Sequence, residues 1–313
     1  MMVAWLFPGQ GAQAVGMGKD VFEASAAARG VFEATDEALG QALAQMCFEG
    51  PMDELTLTKN TQPAIVTTSA AMLAAMRERL GDDLGAPLCA AGHSLGEYSA
   101  LCAAGAIAPA AAAKVCRVRG QAMQSAVPAG EGAMAAIMGL EGPAVTELCE
   151  GVEGVVSPAN FNAPTQTVIA GHAAAVEAAG AAARDAGAKV IPLKVSAPFH
   201  CALMSPARGP LGEALDAEAL SAPTFEVLAN VDAEPRLDAT GVREALVQQV
   251  DSPVQWVETI RQMQAKGVTR ALEIGPGRVL AGLMKRIAGK DLRVLSVNGL
   301  EAIDKVPSFL QDG

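Results

Sequence analysis

The most constraining feature of this sequence is a serine between two glycines, at the junction of a predicted strand and a predicted helix. Residues 92–96 are Gly-His-Ser-Leu-Gly, a G-x-S-x-G pentapeptide. Small apolar residues precede it, as in a buried strand, and residues 97–104 contain no glycine and have a helical composition. A strand that turns this sharply into a helix needs neighbours without side-chain bulk, and it points the serine hydroxyl toward the helix N-terminus.

Ser94 is therefore the predicted nucleophile. Unpaired N–H groups and the dipole at a helix N-terminus favour the negative charge that develops when a serine attacks a carbonyl. The plainer alternative is an ordinary turn, because the chain contains 32 glycines. The strand before the pentapeptide and the helix after it favour the nucleophile elbow of an α/β fold, with a large hydrolase-like domain built on a parallel sheet.

The composition is that of a folded protein with an acidic surface. A chain of 313 residues can bury a large core, either as one enlarged α/β domain or as a domain with an insertion. Its 51% hydrophobic and 18% charged residues argue against disorder. The net charge of −11 argues against general binding to nucleic acid or to an anionic membrane, so an acidic partner has to dock on a local basic patch.

The cysteines and the N-terminus predict a cytoplasmic protein. The six cysteines are scattered, without a C-x-x-C motif or the spacing of a metal site, and this suits a reducing compartment. Residues 1–7 lack a basic flank and soon meet Pro8-Gly9, which is unlike a signal peptide. No run of about 20 residues is free of Gly, Pro and charge, so we expect no membrane span.

The loop after the first predicted strand, residues 3–7, allows two interpretations. Gly9-x-Gly11-x-x-Ala14 resembles a dinucleotide-binding fingerprint, but no second strand ending in an acidic residue follows at the required distance. In hydrolase-like folds such a loop supplies one N–H to the oxyanion site, and the residue after the nucleophile supplies the other. We therefore expect the N–H groups of Gln10 and Leu95 to form that pair.

Residues 132–195 differ in pattern from the rest of the chain. Strand-like and helical segments alternate there in the order β-α-β-β-α-β, which is typical of a ferredoxin-like fold. We predict a small ferredoxin-like subdomain inserted in the larger one, which then comprises residues 1–131 and 196–313. Elsewhere we expect one helical run over 21–46, a helix over 64–80 and a strand over 189–195.

A serine nucleophile needs a base, and the chain contains three histidines. His172 begins a predicted helix and is expected at its cap or in solvent. His93 adjoins Ser94, so its side chain should leave the turn in another direction and shape the pocket. His200 follows the small subdomain, at a junction where clefts form, and it is the predicted base.

Two arginines lie on the helix that Pro109 begins. Arg117 and Arg119 cannot share a helix face, because residues two apart point about 200° from each other. One of them is therefore expected at the surface, and the spacing does not say which. Gln62, before Pro63, could line a pocket, but it is interpreted as a polar residue at a helix start.

The chain resembles the malonyl-CoA:acyl carrier protein transacylase family of bacterial fatty-acid synthesis. The resemblance covers nearly the whole chain and rests on motifs in family order. The motifs are Phe7-Pro8-Gly9-Gln10-Gly11, Gly92-His93-Ser94-Leu95-Gly96-Glu97-Tyr98, Arg119-Gly120, Asn160-Phe161-Asn162, Phe199-His200, Gln249 with Pro253-Val254-Gln255-Trp256, and Glu273-Ile274-Gly275-Pro276-Gly277. The residues Asp251-Ser252 depart from the aromatic-Asn pair that is usual there.

The resemblance implies a role for each main site residue. Ser94 carries the acyl group, His200 is its base, and Arg119 holds the free carboxylate of the malonyl group. The backbone carbonyl of Gln249 orients His200, so that no acidic triad member is used. The resemblance further implies that Gln10 joins Leu95 in the oxyanion hole.

Three further residues complete the substrate site that the resemblance implies. They are His93, Asn162 and Phe199. An aromatic residue at position 199 accompanies malonyl rather than methylmalonyl preference in related acyltransferases. A single methyl group discriminates by only about 1–3 kcal/mol, so this is a minor specificity feature.

The implied reaction is a ping-pong transfer of malonyl from malonyl-CoA to the phosphopantetheine thiol of acyl carrier protein. We expect no metal or redox cofactor, a monomer, and an acyl carrier protein that docks near Lys285 and Arg286, with Lys189 and Lys194 as further contacts. Alternatives are a trans-acting malonyl acyltransferase of a polyketide synthase, a serine thioesterase or hydrolase, a noncatalytic carrier-binding scaffold and a nucleotide-binding oxidoreductase.

Overall fold

The computed structural model describes residues 2–128 and 130–311. The strands are β1 Val3–Phe7, β2 Cys89–Gly92, β3 Gly132–Met138, β4 Val156–Ala163, β5 Gln166–His172, β6 Lys189–Pro192, β7 Glu226–Leu228, β8 Pro235–Arg236, β9 Arg270–Ile274 and β10 Arg293–Val297. They form a six-stranded sheet in the order β10-β9-β1-β2-β7-β8 and a four-stranded sheet in the order β4-β5-β3-β6.

The helices surround both sheets. They are α1 Lys19–Ala24, α2 Ala26–Leu39, α3 Leu43–Glu49, α4 Met52–Thr56, α5 Thr58–Leu80, α6 Gly96–Ala103, α7 Pro109–Ser125, α8 Gly142–Glu150, α9 Ala173–Asp185, α10 Arg208–Asp216, α11 Ala239–Gln249, α12 Trp256–Ala265, α13 Val279–Ile287, α14 Leu300–Ile303 and α15 Val306–Gln311. Two 3₁₀ helices span Gly81–Leu84 and Ala202–Ala207. None of the described helices is both long and apolar enough to cross a membrane.

The large sheet is parallel except for its edge pair, β7 and β8. Its central strand β1 is buried along its whole length. Val3, Trp5 and Phe7 pack into one apolar cluster, and Ala4 and Leu6 pack into another. Successive strand side chains point to opposite faces, so the sheet has an apolar layer on each side, as parallel sheets require.

The four-stranded sheet is antiparallel throughout and lies within the range predicted for the small subdomain. Its strand order is that of a ferredoxin-like fold, and α8 and α9 cover one face with an apolar cluster of their own. The sheet is joined to the rest of the chain where the Phe161 N–H donates to the Val254 carbonyl at 3.0 Å and the Val254 N–H donates to the Ala159 carbonyl at 2.9 Å. The boundaries at 131/132 and 195/196 stay a prediction.

Three predicted segments differ in the structure. Residues 21–46 are not one helical run, because Ser25 caps a new helix by accepting the Ala28 N–H and Gly40 ends that helix at φ 59°. The helix predicted over 64–80 begins earlier, at Thr58, and contains Pro63 as its sixth residue. The strand predicted over 189–195 ends at Pro192, although the Leu193 N–H still donates to the Met134 carbonyl of β3 at 2.9 Å.

Candidate active site

Ser94 lies in a turn between β2 and α6 that only small neighbours allow. Its φ of 52° is in the left-handed region, which is strained for a serine. A Cβ on Gly92 would lie 1.9 Å from the Gly96 carbonyl, and one on Gly96 would lie 2.3 Å from the Phe7 carbonyl oxygen. The two glycines of the pentapeptide therefore let β1, β2 and α6 meet closely enough to present the Ser94 hydroxyl.

His200 has the geometry of a base for Ser94. Its Nε2 lies 2.7 Å from the Ser94 Oγ, and its Nδ1 lies 2.9 Å from the Gln249 backbone carbonyl. Because a carbonyl only accepts, Nδ1 carries the proton and Nε2 is free to accept the serine hydroxyl. Burial, followed by the positive charge of Arg119, lowers the pKa of His200 to about 3, so the ring is neutral and able to take a proton.

Arg119 is the arginine of α7 that reaches the nucleophile. Its side chain is 1% exposed, and Nη2 lies 3.2 Å from the Ser94 Oγ. Nη1 donates to Gln62 Oε1 and Nη2 to Gln249 Oε1, each at 2.8 Å. Among the described residues no carboxylate lies within ion-pairing distance of the guanidinium, and Nε has no hydrogen-bond partner. Arg119 is thus a buried cation without a protein anion beside it.

Arg117, which is more exposed than Arg119, is only partly at the surface, where one of the two arginines was expected. It is half-buried, its Nε and Nη2 have no partner among the described residues, and it does not line the cavity at Ser94. Burial lowers the pKa of Arg117. Its position on the far side of α7 follows from the helical spacing that separates it from Arg119.

The predicted oxyanion donors are free of other partners. Within the part of the chain that the structure describes, neither the Gln10 N–H nor the Leu95 N–H donates a hydrogen bond. Gln10 lines the same cavity as Ser94, and Leu95 is the N-cap residue of α6. The Ser94 N–H is occupied, since it donates to Asn230 Oδ1 at 2.6 Å. These two N–H groups therefore remain available for a developing oxyanion, and their role stays a prediction.

The other predicted substrate residues meet at the same cavity. His93 Nε2 lies 2.7 Å from Asn162 Oδ1 on β4, and the His93 ring packs 5.4 Å from the Trp256 ring. Burial lowers the pKa of His93, so this ring is neutral as well. Phe199 lines the cavity beside His200. The structure thus brings His93, Asn162 and Phe199 together with Ser94, although it does not assign their roles.

The cavity above Ser94 has a volume of about 240 Å³ and lies between the two sheets. Its walls come from the loop at Gln10, from α5, α7 and α13, and from Met134, Asn162 and Val168 of the four-stranded sheet. Exposed Val279, on α13, and Leu193, after β6, form part of its rim. A substrate at Ser94 would therefore contact both subdomains.

Several site residues escaped the sequence analysis. Gln62, whose alternative as a pocket residue ranked second, lines the cavity from α5 and holds Arg119. The Gln249 side chain contacts Arg119 as well as Ser94. Asn230 and Glu97 are buried beside the turn. Two signals could have found them: Glu97 is a charge in an apolar helical run, and Asn230 follows a strand at the edge where α/β proteins bind ligands.

A serine hydroxyl with a histidine base 2.7 Å away is the arrangement of serine enzymes that pass through an acyl intermediate. Residues 4–301 match the acyl transferase domain family. The chain belongs to that family.

The curated relatives and solved structures agree on one kind of acyl transferase. The chain is 46% identical to malonyl CoA-acyl carrier protein transacylase of Bacillus subtilis, over 99% of this chain and 98% of the relative. It is 48% identical to the protein of that name from Escherichia coli K12, over 91% and 92% of the two chains.

The acyl-carrier-protein S-malonyltransferase of Bartonella henselae superimposes with a TM-score of 0.95 at 46% identity, covering 100% of each chain. A malonyl-transacylase solved with its type II PKS acyl-carrier protein gives a TM-score of 0.94 at 43% identity, covering 98% of this chain and 99% of that one. These likenesses confirm the α/β fold and the family resemblance expected from the motifs.

Proposed function

We propose that this enzyme transfers a malonyl group from malonyl-CoA to the phosphopantetheine thiol of an acyl carrier protein. The names of its relatives describe that activity, and a structural neighbour is held in complex with such a carrier. One observation carries the proposal: the buried guanidinium of Arg119, without an ion-pair partner among the described residues, lies 3.2 Å from the nucleophile. A buried cation of this kind favours an acyl group that brings its own carboxylate.

The first half of the reaction transfers malonyl to the enzyme. His200 Nε2 takes the Ser94 proton while Oγ attacks the thioester carbon, and the N–H groups of Gln10 and Leu95 hold the resulting oxyanion. The oxyanion then collapses, the carbon–sulfur bond breaks, and CoA leaves as a thiol with the proton from His200. A malonyl ester of Ser94 remains.

The second half repeats these steps in reverse. The carrier thiol gives its proton to His200 and attacks the ester carbonyl, and Ser94 recovers its proton as the new thioester forms. The acyl group moves from the CoA sulfur to the Ser94 oxygen and then to the carrier sulfur, without any change of oxidation state. The proposed chemistry therefore needs no metal or redox cofactor.

Arginine suits the recognition step better than lysine would. A planar guanidinium can grip both oxygens of a carboxylate, whereas an ammonium acts as a single point charge. Gln62 and Gln249 hold the Arg119 fork from one side, and its Nε has no partner among the described residues. An acetyl group has no carboxylate to pair with this cation, so the enzyme should discriminate against acetyl-CoA.

Replacement of Arg119 tests this proposal. In Arg119→Ala the ratio of kcat/KM for malonyl-CoA to that for acetyl-CoA should fall at least about tenfold, since a hydrogen bond to a charged group contributes roughly 1.5–3 kcal/mol. The ratio for Arg119→Lys should lie between those for Arg119→Ala and the wild type. Arg117→Ala, two residues away on the same helix, is the matched control and should keep the ratio. An unchanged ratio in Arg119→Ala would instead favour an unselective serine hydrolase.

We propose that the carrier docks at the basic side of the cavity mouth. Lys285 is exposed on α13, the helix whose first residues line the cavity. Arg286, its neighbour, donates to Gln166, which also lines the cavity. Lys194 is exposed between two residues of the rim, and Lys189 is exposed at the start of β6. These cations would attract an acidic carrier to a chain that is acidic overall.

Charge reversal tests the docking surface. Lys285→Glu with Arg286→Glu should raise the KM for acyl carrier protein and leave the acylation of Ser94 by malonyl-CoA unchanged. Lys19→Glu with Arg29→Glu makes the same charge change on two exposed residues that do not line the cavity. Equal carrier KM values in the two double variants would rule out docking at Lys285 and Arg286.

A monomer in the cytoplasm remains part of the proposal. Every residue assigned here comes from one chain, so catalysis requires no second copy, and the elution volume of the purified protein checks this. The six cysteines are unpaired, and five of them are buried. Free thiols of this kind are typical of a reducing compartment.

A further inference from the structure

Glu97 is a buried carboxylate beside the nucleophile that the transfer mechanism does not use. It lies in the first turn of α6, three residues after Ser94, and it is 3% exposed. A carboxylate is costly to bury unless hydrogen bonds compensate for lost water. One of its oxygens, Oε2, accepts the Asn230 N–H at 2.9 Å and the Gln249 Nε2–H at 2.7 Å. The carboxylate is therefore bonded to two residues of the active site.

Gln249 connects Glu97 to all three principal site residues. Its Oε1 accepts from Arg119 Nη2 at 2.8 Å, and its Nε2 also donates to the Ser94 carbonyl at 3.0 Å. Its backbone carbonyl holds His200 Nδ1. A shift of this one residue would move the cation and the base together.

Asn230 forms a second connection, from Glu97 to the turn itself. While its N–H donates to Glu97, its Oδ1 accepts the Ser94 N–H at 2.6 Å and its Nδ2 donates to the Gly92 carbonyl at 2.7 Å. The side chain thus holds the strained turn on its strand side, between Gly92 and the Ser94 N–H.

The acceptor oxygen of Glu97 determines which way the Gln249 amide points. A carboxylate only accepts hydrogen bonds and a guanidinium only donates them. The amide can satisfy both in a single orientation, with Nε2 toward Glu97 and Oε1 toward Arg119. Without an acceptor at position 97 the amide could turn its NH₂ toward the guanidinium, where two donors would face each other.

The amide also keeps the anion and the cation apart. A direct ion pair between Glu97 and Arg119 would compensate the guanidinium and weaken its attraction for a carboxylate of the substrate. With Gln249 between them, Arg119 is held in place and its charge stays available at Ser94.

We infer that Glu97 is a positioning residue, which acts through Gln249 to hold Arg119 and His200 at Ser94 and so sets the preference for a malonyl over an acetyl group. This inference rests on the transfer proposed above. It predicts that the hydrogen-bond acceptor at position 97 is required for substrate discrimination as well as for stability.

Two substitutions at position 97 separate the acceptor from the volume of the side chain. Glu97→Met fills a similar volume without an acceptor, and it should lower kcat at least tenfold and the malonyl-to-acetyl ratio of kcat/KM at least fivefold. Glu97→Gln keeps an acceptor oxygen and should stay within threefold of the wild type on both measures. Equal losses in the two variants, or an unchanged ratio in a folded Glu97→Met, would overturn the inference.

Glu273→Met is the matched control, because Glu273 is a second fully buried carboxylate that does not contact Ser94, His200 or Arg119. It should lower the melting temperature and leave the malonyl-to-acetyl ratio within twofold of the wild type. A loss of discrimination in this variant would show that any buried carboxylate has the same effect, and would count against a specific role for Glu97.

A double-mutant cycle with Gln249→Met tests the route of the effect. If Glu97 acts through Gln249, Glu97→Met should change the ratio by less than twofold once Gln249 is replaced. Additive losses would overturn the inference. Should Glu97→Met not fold, Glu97→Asp takes its place in the cycle, because its side chain is one methylene shorter and moves the acceptor away from Gln249.

The outcome for Arg119→Ala distinguishes failure of this inference from failure of the proposed transfer. If the malonyl-to-acetyl ratio of kcat/KM falls in Arg119→Ala but is unchanged in Glu97→Met, only the inference about Glu97 fails. If the ratio is unchanged in Arg119→Ala, the proposed recognition of malonyl by Arg119 is itself wrong.

Discussion

His200 relies on a backbone carbonyl where many serine enzymes use a carboxylate. The Gln249 carbonyl, 2.9 Å from Nδ1, fixes the tautomer of the ring as an acidic residue would, but it adds no negative charge. Burial and the neighbouring Arg119 then lower the pKa of His200 without an anion to oppose them. The base is therefore kept neutral at the pH at which it works.

The acid side of the pH profile should reflect this environment. With a His200 pKa of about 3, the base stays unprotonated, and kcat/KM for malonyl-CoA should be nearly constant from pH 8 down to pH 5. Arg119→Ala removes one cause of the lowered pKa, so its activity should decline at a higher pH than that of the wild type. A wild-type profile that falls by half near pH 6.5 would contradict this description of the base.

Glu97 should make stability depend on pH in the opposite sense to an ion-paired carboxylate, whose pKa is lowered on folding. Burial raises the pKa of Glu97 from 4.5 to about 7, while its hydrogen bonds to Asn230 and Gln249 and the charges of Arg236 and Arg119 oppose the rise. Its contribution to stability is then greatest below pH 4.5 and is lost as the pH rises through about 7. The melting temperature of the wild type minus that of Glu97→Gln should fall between pH 5 and pH 8, and a constant difference would contradict it.

Among the elements, α13 depends on a strand for its N-terminal cap. Glu273 on β9 is fully buried, and its two oxygens accept the Leu280 N–H at 2.8 Å and the Ala281 N–H at 3.1 Å. Ser296 on β10 donates to the same carboxylate at 2.7 Å. One side chain thus ties two strands to the helix that carries Leu280 to the cavity.

Removal of this cap should destabilise the whole chain. Each buried donor left unpaired costs roughly 1–3 kcal/mol, so Glu273→Ala should lower the free energy of unfolding by at least about 2 kcal/mol. Glu301→Ala, which removes an exposed partner of Lys305, is the control and should change it by less than about 1 kcal/mol. Chemical denaturation measures the free energy of unfolding of both variants. Equal unfolding midpoints for Glu273→Ala and Glu301→Ala would show that the cap contributes little.

Elements with a strong local signal could be predicted from the sequence. Two glycines around Ser94 require close backbone contacts, and those contacts are 1.9 and 2.3 Å for an added Cβ. Residues 189–195 were less predictable, because where a strand ends depends on its partner, and β3 pairs with β6 only as far as Pro192. The Leu193 N–H still donates to the Met134 carbonyl of β3, while Leu193 also lines the cavity.

For the whole molecule, the site could be predicted in part. Ser94, His200 and Arg119 carry motifs of a family, and the structure brings their side chains together. The contacts of Asn230 and Gln249 join positions more than 130 residues from Ser94. No local pattern encodes which buried amide will meet which carboxylate, because the parallel sheet and its crossovers bring these segments together.

The central claim, a malonyl ester on Ser94, is tested most directly by the intact mass of the protein after brief mixing with malonyl-CoA. The wild type should gain one malonyl group and lose it to added acyl carrier protein, which gains the same mass, whereas Ser94→Ala should gain none. A wild-type chain that stays unmodified, a Ser94→Ala chain that is still acylated, or an ester that disappears equally fast without the carrier would contradict the account.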